Sequence, residues 1–291
     1  MMDMEHELPG HIDIPDHFAV YAVADVHGVY SGLVSVLARA GLIDEQGHWS
    51  APPATALVVV GDSIDRGTRS LAVLHHLDRL RAQARETGSL VAILDGNHEQ
   101  IVRDGLDGHL QYLDMWLRVG GPATLAEMGL NADSRALRRD VRALRAAVDR
   151  LAPDFRPLLR SMAPYARWRD ICFVHGGWPL GVRSMADFEA SLDRLWCRAE
   201  FFDGPNLDGP AYRVFAQAGL RQAVVGHTPI GPALFQDGRV LVLDSNCAAS
   251  PDMPTSPLMT LALLSDRPGA LLSEAQIIEE PTSDAPDRTP D

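Results

Sequence analysis

Short apolar runs recur along this chain, and their spacing limits the fold more than any other feature of the sequence. The runs are bounded by turn residues and cover residues 19–24, 56–60, 90–94, 171–174, 223–225, 240–243 and 258–264. Runs of this length suit strands that are buried on both faces of a sheet. Between the first three runs, residues 32–40 and 70–85 carry apolar side chains three and four positions apart, which predicts helices. The alternation predicts βαβ units and a layered α/β fold.

The size of the chain is sufficient for one large domain. With 291 residues, 46% of them hydrophobic, the chain can bury a sizeable core without dividing. We expect a single domain over residues 1–278, with a mostly helical insertion or cap over about 100–164. The Arg-rich segment 134–150 within that cap is interpreted as a solvated helix face. Residues 279–291 combine Pro, Asp, Ser and Thr without apolar periodicity, which predicts a disordered tail.

Charge and cysteine content narrow the possible partners and the compartment. The net charge of −13 repels phosphate backbones, so bulk nucleic-acid binding is not expected. The three cysteines show no C-x-x-C spacing, which indicates reduced thiols. The first 17 residues contain no apolar signal segment, and no apolar run approaches the roughly 20 residues of a membrane span. A cytoplasmic protein without a membrane anchor is therefore expected.

Five of the predicted strands end in polar residues that can bind metal ions. In order, these ends read DVHG (25–28), GDSIDRG (61–67), GNHE (96–99), HGG (175–177) and GHT (226–228). Each motif alone is compatible with an ordinary turn or helix cap. Because ligands bind outside the carboxyl ends of the strands in α/β sheets, the five motifs together predict convergence. Their carboxylates, imidazoles and amide suit manganese, iron or zinc.

The order of these motifs resembles the calcineurin-like metallophosphoesterases, and within them the bacterial serine/threonine phosphatases of the PPP type. The resemblance covers about residues 19–244. It implies a layered β-sandwich flanked by helices and two divalent metal ions, with manganese expected and iron or zinc as alternatives. It also implies that Asp25 and His27 hold the first ion and that Asp62 bridges both. The second ion would be held by Asn97, His175 and His227.

The same resemblance implies roles for four further residues. His98 would be the general acid that protonates the leaving group, and Asp65 would orient it. Arg66 would bind phosphate oxygens, and Arg198, in a looser motif, would be a second phosphate clamp. The attacking species would be a hydroxide that bridges the two ions.

Several phosphatase functions are compatible with these motifs, and among them an RNA-end phosphatase is disfavoured by the net charge of −13. A phosphoserine/phosphothreonine protein phosphatase is favoured by the intact GDSIDRG and GNHE motifs. The alternative is a bis(5'-nucleosyl)-tetraphosphatase or another small-molecule phosphatase, since these enzymes share the fold and the two-metal core. A scaffold without activity predicts broken ligands, whereas every expected ligand is present.

One further pattern in the cap also resembles the bacterial relatives. It consists of Trp116, Gly120, Gly121, Thr124 and Leu125. We interpret Trp116 as a core aromatic residue of the cap.

Overall fold

The protein consists of two β-sheets packed face to face, with helices outside them, as seen in a computed structural model that describes residues 10–132, 140–248, 258–264 and 272–281. The strands are β1 (Ile12–Ile14), β2 (Ala19–Val23), β3 (Thr55–Val59), β4 (Leu90–Ile93), β5 (Ala166–Trp168), β6 (Ile171–Phe173), β7 (Gln222–Val225), β8 (Ala233–Phe235), β9 (Val240–Val242), β10 (Leu258–Leu263) and β11 (Gln276–Pro281). All seven predicted apolar runs contain a strand.

The helices lie between the strands and include both of those predicted near the N-terminus. They are α1 (Tyr30–Arg39), α2 (Ser70–Glu86), α3 (Asn97–Leu106), α4 (Leu110–Val119), α5 (Gly121–Glu127), α6 (Val141–Leu151), α7 (Phe155–Arg160), α8 (Met185–Ala190), α9 (Ala199–Phe202) and α10 (Arg213–Gln217). Short 3-10 turns cover Leu192–Leu195, Pro210–Tyr212, Gln236–Gly238 and Leu272–Glu274. No helix in the described ranges combines the length and apolarity needed to cross a membrane.

The two sheets differ in strand order, but the carboxyl ends of their parallel strands lie on the same side of the molecule. One sheet has the order β11-β10-β2-β3-β4, and the other has the order β1-β5-β6-β7-β9-β8. Strands β2, β3 and β4 pair in parallel, as do β6, β7 and β9. Loops that leave these strands at their carboxyl ends therefore lie close together.

The side chains of the central strands alternate between two separate cores. On β3, Ala56 and Val58 pack into the core between the sheets, whereas Leu57 and Val59 face the helices. This period of two is the pleat of a strand, and all five residues of β3 are buried. A third core, in which Trp178 stacks on Phe215, covers the outer face of the other sheet. The predicted β-sandwich flanked by helices is confirmed.

The cap is helical, as predicted, and includes α4 to α7. In the part of segment 134–150 that the structure describes, Leu144 and Val148 are buried on one face of α6. On that helix, Arg145 forms ion pairs with Asp107 and Asp149. Residues 133–139 of the Arg-rich segment lie outside the described residues.

The C-terminal prediction requires a correction. Residues 279–281, predicted as part of a disordered tail, belong to β11, which pairs with β10 in antiparallel register up to Pro281. Residues 279–281 have no apolar pattern, and they are held by the backbone hydrogen bonds between β10 and β11. Arg39 also forms an ion pair with Glu280 at 2.6 Å. The rest of the predicted tail, residues 282–291, lies outside the described residues.

Candidate metal centre

The six predicted metal ligands converge at the shared edge of the two sheets. Each follows the carboxyl end of a parallel strand, and each is at most 5% exposed; they are Asp25, His27, Asp62, Asn97, His175 and His227. Four of the six belong to two groups whose ligand atoms lie within 4.8 Å of one another: His27 and Asp62 together with His98, and Asp62 with His175 and His227. Asp62 belongs to both groups, which is the position that a bridging ligand requires.

Hydrogen bonds on the far side of two histidine rings turn their other nitrogen atoms toward the predicted ligand cluster. His27 Nδ1 donates to the carbonyl oxygen of Ile64 at 2.8 Å, and its Nε2 has no hydrogen-bond partner among the described residues. His175 Nδ1 donates to Val60 O at 3.0 Å, so its Nε2 faces Asn97 Oδ1 at 2.9 Å and Asp62 Oδ1 at 3.3 Å. Buried acceptors that point at one another need a shared positive charge. This donor set fits divalent metal ions.

Three buried carboxylates concentrate negative charge at the same place. Burial and the nearby Asp244 raise the pKa of Asp25 well above its usual value, and burial also raises the pKa of Asp244. Burial opposes the ionisation of Asp62, but His175 and His98 outweigh it and hold the pKa of Asp62 well below its usual value. Metal ions neutralise such clusters of carboxylates.

The histidine rings respond to the same environment. Burial is the main reason why the pKa values of His27 and His227 lie well below the ordinary value, so both rings take the neutral form that coordinates metals. At His175, burial opposes a second proton, but Asp62 and Asp25 outweigh it and raise the pKa to about 10.

The backbone at the centre adopts conformations that are costly for residues with side chains. Positive φ angles occur at Asp25 (50°), His27 (46°), Asp62 (51°), Asp65 (71°), Arg66 (64°) and His227 (63°). Left-handed residues of this kind cost about 1–3 kcal/mol each and collect at functional sites. Two glycines permit close approach: a Cβ on Gly96 would overlap the backbone nitrogen and carboxylate of Asp62, and one on Gly226 would overlap the carboxylate of Asp25.

His98 lies beside this cluster and is oriented by Asp65. Its Nδ1 donates to Asp65 Oδ2 at 2.8 Å, which turns Nε2 toward Asp62 Oδ2 at 3.9 Å. Arg66 Nη2 lies 3.3 Å from the same Nε2. An imidazole with one nitrogen fixed by a carboxylate and the other facing the centre can exchange a proton with a bound group.

The comparison with known families agrees with this geometry. Residues 18–249 match the family model for calcineurin-like phosphoesterases. The chain belongs to this family. The match includes every strand end that carries a predicted ligand.

Individual relatives of this phosphoesterase share shorter stretches of sequence. Shewanella-like protein phosphatase 2 of Arabidopsis thaliana is 33% identical over 92 residues, which is 32% of this chain and 22% of that protein. Shewanella-like protein phosphatase 1 of Plasmodium berghei is 32% identical over 95 residues, which is 33% of this chain and 25% of that protein. The matched stretch thus spans about a quarter of these curated relatives.

Solved structures share the fold of this phosphoesterase over nearly its whole length. The cold-active protein-tyrosine phosphatase of a psychrophilic Shewanella species has a TM-score of 0.57 and 21% identity, with 95% of this chain and 85% of that chain covered. A putative diadenosine tetraphosphatase has a TM-score of 0.51 and 18% identity, with 94% and 98% covered. At these identities the likeness concerns the fold.

The structure also places the second predicted arginine of the phosphoesterase at the rim of the centre. Arg198 Nη1 is 3.5 Å from Thr228 Oγ1, next to His227 in sequence. The ring of Trp196 meets that of His227 edge to face, with centroids 5.9 Å apart. Arg66 and Arg198 therefore contact His98 and Thr228, which adjoin the predicted ligands Asn97 and His227 in sequence.

Two buried carboxyl groups near the centre, those of Glu99 and Asp244, were not predicted as site residues from the sequence. Glu99 accepts hydrogen bonds from the backbone nitrogens of Gly96 and Asp62 at 3.0 Å and of Ser63 at 2.8 Å, and so fixes the loop that carries Asp62. Burial, followed by Asp62 and Asp95, raises the pKa of Glu99 to about 8. Asp244 follows the apolar run 240–243, the same kind of position that the predicted ligands occupy.

Proposed function

We propose that the protein is a phosphoprotein phosphatase that uses two divalent metal ions to hydrolyse phosphoserine and phosphothreonine. The observation that carries the proposal is the shared position of Asp62 in two groups of potential metal ligands, one of which also contains His98, the imidazole that Asp65 orients. Family membership supports hydrolysis of a phosphoester. The names of two relatives, Shewanella-like protein phosphatases 1 and 2, support a phosphoprotein substrate.

The residues fit two divalent ions, and their mixed oxygen and nitrogen ligands suit manganese, iron or zinc; manganese is the ion that the family resemblance favours. Asp25, His27 and Asp62 would hold one ion. The other would be held by Asp62 together with Asn97, His175 and His227. When bound, two such ions supply an activated water and neutralise charge on the phosphoryl group.

The remaining side chains bind the phosphate and move a proton. Arg66 and Arg198 would donate hydrogen bonds to phosphate oxygens and stabilise the charge that redistributes in the transition state. His98 Nε2 would donate its proton to the leaving oxygen, while Asp65 holds the Nδ1–H in place. Arg66 Nη2 donates to His98 Nε2 at 3.3 Å, so a phosphate that took over this donor would lie beside the imidazole.

A side-by-side assay tests the substrate class. Initial rates of the manganese-loaded protein would be measured on a phosphothreonine peptide, a phosphotyrosine peptide and a dinucleoside tetraphosphate, with Asp62→Asn as the blank. Faster hydrolysis of the phosphothreonine peptide supports the proposal. Faster hydrolysis of the nucleotide would favour the small-molecule alternative instead. A preference for the phosphotyrosine peptide would keep the protein phosphatase proposal but change its substrate from phosphoserine and phosphothreonine to phosphotyrosine.

We also propose a cytoplasmic location. The three cysteines, Cys172, Cys197 and Cys247, are buried and form no disulfide. Thiols in that state are typical of a reducing compartment. The net charge of −13 supports a partner other than bulk nucleic acid.

A further inference from the structure

The carboxylate of Asp65 is held by two residues of the helical cap. Its Oδ2 accepts from His98, and its Oδ1 accepts from the indole Nε1 of Trp116 at 2.9 Å and the hydroxyl of Thr124 at 2.7 Å. Asp65, Trp116 and Thr124 are all fully buried. Both oxygens are thus occupied, and the plane of the carboxylate is fixed relative to the imidazole.

The same part of the cap also supports the backbone beneath this carboxylate. Asp65 and Arg66 have consecutive left-handed φ angles of 71° and 64°. The backbone nitrogen of Arg66 donates to the carbonyl oxygen of Gly120 at 3.2 Å, and that of Asp65 donates to Ser70 Oγ at 2.9 Å. Ser70 Oγ in turn lies 3.0 Å from Thr124 Oγ1. The end of α4 and the start of α5 therefore brace a strained turn.

A core role alone does not account for these contacts, although Trp116 is a buried core residue as expected. Packing requires the ring of Trp116 but not its N–H group. Trp168 illustrates the difference, since it is just as buried and its Nε1 has no hydrogen-bond partner in the described part of the chain. At Trp116 and Thr124, both polar atoms are directed at one carboxylate oxygen.

We infer that Trp116 and Thr124 are positioning residues for the proton donor, and that the cap is part of the catalytic apparatus through them. The inference rests on the proposed function, because it takes His98 as the group that protonates the leaving oxygen. Without its two donors, the Asp65 carboxylate can rotate and loses two charge-assisted hydrogen bonds, so the imidazole is held less firmly. Changes to residues that orient a functional imidazole typically cost about 10–100-fold in activity.

The test compares two substrates that differ in their need for a proton. Phenyl phosphate releases a basic phenoxide that benefits from protonation, whereas p-nitrophenyl phosphate releases a stable anion. For the manganese-loaded Trp116→Phe and Thr124→Val variants, we expect kcat on phenyl phosphate to fall by about 10–100-fold and kcat on p-nitrophenyl phosphate to fall by much less. KM and the metal content per chain should stay unchanged. His98→Asn should show the same contrast between substrates.

Matched substitutions away from the centre provide the controls. Trp168→Phe and Thr55→Val remove the same groups from buried positions and should alter both rates equally, if at all. Thr124→Ser keeps the hydroxyl and should restore the ratio of the two rates. If Trp116→Phe does not fold, Thr124→Val carries the test alone.

Two outcomes separate this inference from the proposed function. An unchanged ratio of the two rates in Trp116→Phe and Thr124→Val, with active wild-type protein, would overturn the positioning role and leave the phosphatase proposal standing. A metal-loaded wild-type protein that hydrolyses neither ester would overturn the phosphatase proposal itself, and the positioning role with it.

Discussion

At the scale of single residues, the candidate centre is built from strained positions that closely packed neighbours hold in place. Six of its residues have positive φ angles, and two glycines stand where a methyl group would collide with Asp62 or Asp25. Strain of this kind persists only where the surroundings determine it, as they do here through buried backbone hydrogen bonds such as those to Glu99.

The absence of a side chain at Gly96 is therefore expected to be essential. Gly96→Ala would push a Cβ into the backbone nitrogen and carboxylate of Asp62. We expect a loss of about 1–3 kcal/mol in the free energy of unfolding, together with loss of bound metal. Gly181→Ala is the control, because nothing lies within 4 Å of its added Cβ. Denaturant unfolding and metal analysis measure both effects, and equal behaviour of the two variants would contradict the packing argument.

A second residue-scale prediction concerns His76, which lies on α2 away from the centre. Burial, and secondarily Arg79, lowers the pKa of His76 to about 4. The folded protein therefore resists protonation that the unfolded chain accepts, and stability that is fully present above about pH 6.5 is lost as the pH falls toward 4. We expect the free energy of unfolding to drop by about 1–2 kcal/mol in this window.

Urea unfolding at several pH values measures this dependence. His76→Gln should flatten the curve between pH 6.5 and 4, since the titrating group is gone. An identical slope in the variant and the wild-type protein would mean that other groups account for it.

At the scale of elements, helix α3 is fastened to the end of β4 by a buried ion pair. Arg103 donates to both oxygens of Asp95 at 2.6 Å, and Arg194 Nη2 lies 3.7 Å from the same carboxylate. The first residue of α3 is Asn97, and the backbone oxygen of Arg194 accepts from Gly176, next to His175. This buried pair therefore connects two ligand loops.

Breaking the pair should be costly. Among the described residues, Arg103→Ala leaves the Asp95 carboxylate with the longer Arg194 contact of 3.7 Å, and we expect a loss of about 3 kcal/mol in the free energy of unfolding, the lower end for a buried charge that loses its partner. Arg221→Ala removes a pair with the exposed Asp208 and should cost far less. Thermal and denaturant unfolding compare the two variants, and losses of similar size would contradict the importance of burial.

The elements that could be predicted from the sequence are those with a continuous apolar run or a regular apolar face. Strand β3 lies in a continuous buried run, and α2 spans 17 residues with a regular apolar face. Strands β6 and β9 are only three residues long but entirely apolar and buried, whereas the equally short β1 and β5 each contain a charged residue and β8 has no buried residue. Strand β11 contains two glutamates and ends in proline, and it forms because β10 offers a backbone partner that no local pattern reveals.

At the scale of the whole molecule, the convergence of the ligands could be predicted because parallel strands bring their carboxyl ends to one edge. Asp25 and His227 are far apart in sequence, yet the backbone nitrogen of His227 donates a hydrogen bond to the Asp25 carboxylate at 3.0 Å. The bonds from Trp116 and Thr124 to Asp65 could not be predicted, since they depend on how the cap packs over the sheet edge. The position of Asp244 near the centre could have been predicted, because it is an acidic residue directly after an apolar run.

The most direct test of the central claim measures metal content and activity together in the wild-type protein, Asp62→Asn and His98→Asn. The account predicts about two ions per chain in the wild-type protein, and a joint loss of metal and rate in Asp62→Asn. His98→Asn should keep its metal and lose about 10²–10⁴-fold in rate. Loss of metal in His98→Asn equal to that in Asp62→Asn would contradict the account, because His98 would then be a ligand of the group it shares with His27 and Asp62.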